Sequence, residues 1–209
     1  MNSIILDFEM NPVKREYEEE YDICSKEIIE IGAIKLDENL GEISSYMSYL
    51  KPEYNDEVDF IVNEMTGISY DMLVNQRTFS EVISEFASWC SDGGDFKIYA
   101  WSNCDRVQFM KELTLKDIKV SNELCTMINN WYDFQKIFDK EVKSYHSTSL
   151  ENALKMVGLE FEGKAHDGLE DAKNTARLFS CFNSPDFGRI RESLRRKNDE
   201  ERKEMEKTQ

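Results

Sequence analysis

The run Ile28-Ile29-Glu30-Ile31-Gly32-Ala33-Ile34 constrains this chain most. It is β-branched and mostly apolar, the pattern of a well-buried strand. Ahead of it, Ser3 to Met10 alternates: Ile4, Leu6 and Phe8 share one side of an extended strand, and Ile5, Asp7 and Glu9 share the other. Asn39-Leu40-Gly41-Glu42 reads as a hairpin turn leading into a third strand over Ser44 to Leu50. Three strands joined by short loops predict an antiparallel meander. The acidic stretch Asn11 to Lys26, with Glu16, Glu18, Glu19, Glu20 and Asp22, reads as an exposed loop.

After Pro52 the pattern turns helical. Thr78-Phe79-Ser80-Glu81 has the form of a capping box, and Val82, Phe86 and Trp89 recur at helical spacing until Gly93-Gly94. Phe96 to Trp101 is a strand candidate, followed by a helical run from about Asp105. Leu124 to Phe138 mixes aromatics and amides and reads as irregular helix. Thr148 and Glu151 suggest the cap of a helix that stops at Gly158. Asp167 and Glu170 cap the last core helix, whose face is lined by Leu169, Ala172, Ala176 and Phe179. Beyond Pro185 the chain is almost wholly charged and reads as a solvated helix or frayed tail. No repeat or linker divides the 209 residues, so residues 1–185 are expected to form one domain and residues 186–209 a charged helical tail.

Charge narrows the function classes. Lys+Arg 26 against Asp+Glu 42 gives a net charge of −16. A passive coat on duplex DNA needs cationic surface to displace counterions, and this balance excludes one. It leaves open a nucleic-acid enzyme in which divalent cations on clustered carboxylates hold the phosphate. No apolar run approaches the length of a membrane span, and the short N-terminal apolar run lacks the basic flank of a signal peptide. The 5 cysteines are scattered without a Cys-x-x-Cys pair, so buried reduced thiols in a cytoplasmic protein are expected.

Asp7 and Glu9, two apart on a strand, present both carboxylates on one face within reach of one cation. In a chain this acidic such a pair arises by chance roughly eight times, and taken alone it is better explained as a strand end reaching solvent. Its position inside an otherwise apolar strand is the distinguishing feature. His166 stands just outside the last core helix and Asp171 one turn inside, which suits a proton acceptor swinging over a metal fixed by the helix. His146 and Glu151 repeat the spacing without the cap geometry that would place the histidine, and His146 is assigned to the surface. Asp105 begins the helix after the fourth strand, where an ordinary N-cap is an equal alternative. Four mutually repelling carboxylates converging at one sheet edge would require divalent cations.

These segments together resemble one family. Ile5-Leu6-Asp7-Phe8-Glu9, Glu27 to Ile34, Met65-Thr66-Gly67-Ile68, Trp101 to Asp105 and His166 to Ala172 follow the order and content of the DnaQ-like 3′-to-5′ exonucleases of the DEDDh type. The branch that trims histone-mRNA ends and small interfering RNAs is the nearest in pattern, and the resemblance covers roughly residues 3 to 182. It implies an α/β, ribonuclease-H-like fold: a mixed five-stranded sheet, its first three strands antiparallel, flanked by helices. By similarity Asp7, Glu9 and Asp171 would hold one Mg²⁺ or Mn²⁺, and Asp7 with Asp105 a second, about 3.5–4 Å away. His166 would take the proton from the attacking water. Phe8, Met10, Met65 and Thr66 would border the terminal nucleotide.

The chain departs from that pattern in three places. Met10 and Asn11 replace a small hydroxyl residue, Ser102 replaces a glycine, and the 11–26 insertion is long and acidic. The function implied is release of nucleoside monophosphates from 3′ ends of single-stranded or short structured RNA. A stand-alone DNA exonuclease of the proofreading type and a non-catalytic module on the same fold are the alternatives. Trp101, Trp131, Tyr132, Phe134 and Phe138 are assigned to packing ahead of base stacking. Arg189, Arg191, Arg195, Arg196 and Lys197 are read as a solvated helix face or a contact to phosphates.

Overall fold

The first strand sits at the centre of the molecule because it is apolar on both sides along its first half. In the computed structural model, which describes residues 1–208 and side chains through Met205, β1 spans Asn2–Pro12, β2 Lys26–Leu36 and β3 Glu42–Tyr49. β4 is Phe96–Ala100 and β5 Trp131–Asp133, and the sheet order is β3-β2-β1-β4-β5. β1 pairs antiparallel with β2 and parallel with β4, and β2 pairs antiparallel with β3. The expected mixed five-stranded sheet is therefore present, and its first three strands form the meander read from the pattern.

Two apolar layers clothe the sheet, and they divide as the alternation of β1 dictates. Ile4, Leu6 and Phe8 pack with Phe79, Val82 and Phe86 of α4 (Phe79–Ser91) and Phe109 of α5 (Cys104–Leu115). Ile5, Ile34 and Leu36 pack on the opposite face with Ala172, Ala176 and Phe179 of α9 (Gly168–Phe182). Phe134 and Phe138 of α7 (Phe134–Val142) complete that layer. The capping box at Thr78 forms as expected, with the Thr78 amide donating to Glu81 at 2.7 Å. Trp101, Trp131, Phe134 and Phe138 are all core residues, while Tyr132 stacks on Tyr99 at the surface.

Four sequence readings need correction. Asn11 to Lys26 is not simply an exposed loop: β1 and β2 stay paired out to Pro12↔Lys26, and a short helix, α1 (Glu18–Ile23), closes the tip. Asn11 and Cys24 are fully buried; the Asn11 carboxamide accepts the Asp59 amide at 2.8 Å and donates to the Glu57 carbonyl at 3.0 Å. Leu124 to Phe138 is interrupted by β5, which separates α6 (Asn122–Asn129) from α7. The helix before Gly158, α8 (Leu150–Met156), is capped by Ser149 rather than Thr148. Among the cysteines only Cys24 and Cys90 are buried; Cys104 and Cys125 are exposed.

The charged C-terminal segment is a helix, α10 (Phe187–Thr208), and its first half docks on α7. Phe187 and Leu194 are buried, Asn198 donates to the Val142 carbonyl at 2.8 Å, and Arg191 and Arg195 reach the Glu141 carboxylate. Arg189, Arg196 and Lys197 face outward. Between β3 and α4, Phe60–Thr66 forms α2 and Tyr70–Leu73 forms α3. No helix among the described residues is long and apolar enough to cross a membrane.

Candidate active site

The parallel part of the sheet fixes the location. β1 runs beside β4 only as far as Leu6↔Ala100, so Asp7 is the first residue of β1 beyond the carboxyl end of its neighbour. Asp105 lies in the first turn of α5, just after β4, and Asp133 ends β5 at the same edge. Crevices outside the carboxyl ends of parallel strands are where α/β sheets bind ligands. Asp105 is buried, and its Oδ1 accepts the Phe8 amide at 3.3 Å. It is therefore not the N-cap of α5; Asn103 holds that position.

A glycine contact brings the last acidic residue over this edge. Gly32 lies opposite Asp7 on β2, and a Cβ there would sit 2.1 Å from the Gly168 carbonyl carbon. Only a hydrogen at Gly32 lets the N-terminus of α9 rest on the backbone of β2. A Cβ on Gly168 would come within 3.3 Å of the Asp7 carbonyl oxygen and 3.4 Å of the Glu30 carboxyl carbon. Asp167 caps α9 by accepting the Glu170 amide at 3.0 Å. His166 then turns with φ +64°, and its amide donates to Asp171 Oδ2 at 3.1 Å. A left-handed histidine is uncommon, and such geometry clusters at functional sites.

The electrostatics record the crowding. Burial, then repulsion from Asp105, Asp171, Glu9 and Glu30, holds the Asp7 carboxyl well above the usual range. Glu9 is pushed up to about 8 by burial, then by Asp171 and Glu30. Burial lifts Asp105 to about 7 against the opposing pull of the Phe8 amide. Asp171 is raised by burial, with the His166 amide pulling down. One potential ligand atom from each of Glu9, His166 and Asp171 lies within 4.8 Å of the others. A set of oxygen donors whose charges raise one another suits a hard divalent cation, so these residues fit the metal the pattern implies.

The residues expected to border the terminal nucleotide have different surroundings. The Phe8 ring is buried against Phe109 and Trp131, because strand alternation sends it to the face opposite Glu9. Only its backbone borders the site. Met10 is half-buried against the same core layer. Met65 is exposed, and Thr66 ends α2 with its hydroxyl donating to the Val62 carbonyl and accepting the Ile68 amide. The Lys164 ammonium donates to the Thr66 carbonyl at 2.9 Å, tying that turn to the segment before His166. A cavity of about 440 Å³ opens beside His166 and Asp171, walled by Ser149, Leu150, Phe161 and Gly163. His146 is exposed and outside this cavity.

Glu30 went unassigned in the sequence. It is fully buried opposite Glu9, and burial followed by the Asp167 charge raises its carboxyl to about 7, with the Gly168 and Leu169 amides opposing. An acid inside an otherwise β-branched buried run was the available signal.

The model of the exonuclease family, of RNase T type, matches residues 4–179, and the chain belongs to that family. It is similar to ERI1 exoribonuclease 2 of Xenopus laevis, 28% identical over 75% of this chain and 25% of the relative. It is also similar to 3′-5′ exoribonuclease 1 of Rattus norvegicus, 26% identical over 73% of this chain and 45% of the relative. The 3′-5′ exonuclease Snipper of Drosophila melanogaster is 27% identical over 73% of this chain and 59% of its own length. The chain thus spans between a quarter and three fifths of these relatives. Among solved structures, the nuclease domain of 3′hExo, a DEDDh family member bound to rAMP, shares the fold with a TM-score of 0.75. It is 23% identical, over 87% of this chain and 90% of that one. DEDDh exonucleases normally use divalent metal ions.

Proposed function

We propose that this chain is a divalent-metal-dependent exonuclease that removes nucleoside monophosphates from the 3′ ends of single-stranded or short structured RNA. The observation that carries the reading is the convergence of Asp7, Glu9, Asp105 and Asp171, from three separate elements, into carboxyls that repel one another beside His166. RNA is favoured over DNA because two of the three relatives, those of Xenopus laevis and Rattus norvegicus, are named as exoribonucleases. The catalytic unit is assigned to residues 1–185, with α10 appended to it.

In this reading Asp7, Glu9 and Asp171 hold one Mg²⁺ or Mn²⁺, and Asp7 with Asp105 a second. When bound, the cations supply the charge that acidifies an attacking water and neutralises the leaving 3′ oxygen. His166 accepts the water proton on its imidazole, and the Asp171 carboxylate, held by the His166 amide, keeps the turn that carries the ring in place. The Phe8 backbone, Met65 and the Thr66 turn border the terminal nucleotide, and the cavity beside His166 admits it. The acidic tip around α1 lies beyond the last β1–β2 pair, Pro12↔Lys26, so its charges sit at the far end of that hairpin.

The test is degradation of matched RNA and DNA oligonucleotides labelled at the 3′ or 5′ end, with and without Mn²⁺. Monophosphate release from the 3′ end of RNA, absent in EDTA, is the expected result. Equal or faster attack on DNA would assign the chain to the DNA alternative; exonuclease I, solved in complex with a dT13 oligonucleotide, shares the fold at a TM-score of 0.65 and 14% identity. No release from either polymer would favour the non-catalytic module.

A further inference from the structure

Behind the carboxylate cluster lies a second polar group that the proposed reaction does not use. β1 and β2 pair residue for residue up to Glu9↔Glu30, and beyond that Met10 faces Ile28, leaving Ile29 over as a bulge. Bulges beside active sites re-aim the side chains next to them, and this one adjoins Glu9. The Ile28 amide at the bulge donates to Glu112 Oε2 at 2.8 Å. Glu112 is fully buried on α5. The Gln108 carboxamide donates to the same Oε2 at 3.1 Å and to the Lys26 carbonyl at 2.7 Å.

A counter-charge completes the group. The buried Lys116 ammonium lies 3.1 Å from Glu112, 3.1 Å from Glu27 and 2.6 Å from Glu53. The Glu27 carboxylate in turn accepts the Glu53 and Tyr54 amides, each at 2.8 Å. Burying such charges gains little stability over a well-packed apolar set, so a role in fixing geometry is the better account. α5 supplies that geometry: Asp105 in its first turn takes the Phe8 amide, and Glu112, two turns on, takes the Ile28 amide. One helix therefore grips the β1–β2 pair on both sides of Glu9.

We infer that Glu112 is a positioning residue for the metal-binding carboxylates: by clamping the Ile28 amide at the bulge, it sets where Glu9 stands relative to Asp105. The inference rests on the metal-site reading above. Two substitutions separate the clamp from the charge. Glu112→Gln keeps an acceptor for Ile28 and loses the ion pair with Lys116. Glu112→Asp keeps the charge and withdraws the acceptor by one methylene.

Mn²⁺ affinity, followed by electron paramagnetic resonance, is expected to stay within about twofold of the parent in Glu112→Gln and to fall about tenfold in Glu112→Asp, the lower end of the effect of residues that orient metal ligands. Exchange of the Ile28 amide should accelerate only in Glu112→Asp. Unchanged affinity in both variants, or loss in the Gln variant with retention in the Asp variant, would overturn the inference. Parent protein that binds no Mn²⁺ would remove the metal-site reading itself and the inference with it. Parent protein that binds Mn²⁺ alongside two indifferent variants removes the inference alone.

Discussion

Glu9 and His166 show most clearly how the site depends on single groups. In the folded chain Glu9 is raised to about 8 and Glu30 to about 7, each from an ordinary 4.5, and Asp105 from 3.8 to about 7. Above pH 4.5 the unfolded chain ionises these groups while the metal-free fold keeps them protonated. Their contribution is thus fully present below about pH 4.5 and is lost as pH rises through 7 to 8. The melting temperature in EDTA should fall between pH 5 and pH 8, and Mg²⁺ or Mn²⁺ should restore it more at pH 8 than at pH 5. A flat profile in EDTA would contradict the crowding. His166→Ala should lower kcat by about 10²–10⁴ while leaving Mn²⁺ affinity near the parent value, since its proposed work is proton transfer. A large loss of Mn²⁺ affinity would make it a ligand instead. At this scale the Asp7-x-Glu9 spacing and the His166–Asp171 step were readable because strand and helix periods fix which face a residue takes. Glu30 escaped notice because its role comes from tertiary contact with the N-terminus of α9, which no local pattern encodes.

At the level of elements, the seating of α9 on β2 decides whether the site assembles. Gly32→Ala would drive a methyl into the Gly168 backbone, where neither chain segment can yield as a side chain could. Overpacking of this kind costs about 1–3 kcal/mol or more. The variant is expected to melt lower and to bind Mn²⁺ more weakly, because Asp171 and His166 move with the helix. Lowered stability with intact Mn²⁺ affinity would show that α9 does not set the cluster. The elements that could be read in advance carry strong local signals: the β-branched β2, the capping box of α4 and the Asp167 cap of α9. β5 could not, since three residues, Trp131 to Asp133, are too few to display a period. The cap of α8 falls on Ser149, one position past the Thr148 that the pattern predicts, because adjacent hydroxyl residues offer the same chemistry. The pairing of Asn11 and Pro12 depends on Asn11 bonding to residues 57 and 59, which lie far away in sequence.

Across the whole molecule, an acidic body carries one charged helix that is partly built into it. Phe187 packs on Phe182 with ring centroids 4.6 Å apart, and the two sit in the apolar layer that also covers α9. Phe187→Ala should cost about 3 kcal/mol, as large-to-small core changes do, and leave turnover of a short oligonucleotide unchanged below the new melting temperature. Altered turnover would tie α10 to catalysis. In sequence the segment reads as a solvated helix or frayed tail because charge dominates it, and the few apolar residues that dock it are widely spaced. The account as a whole stands on acidic side chains from β1, α5 and α9 meeting in one cluster that binds two cations. The most direct measurement is anomalous diffraction from crystals grown with Mn²⁺. Peaks between Asp7 and Asp105 and among Asp7, Glu9 and Asp171 are predicted. Crystals in which Mn²⁺ is present but no peak touches these carboxylates would contradict it.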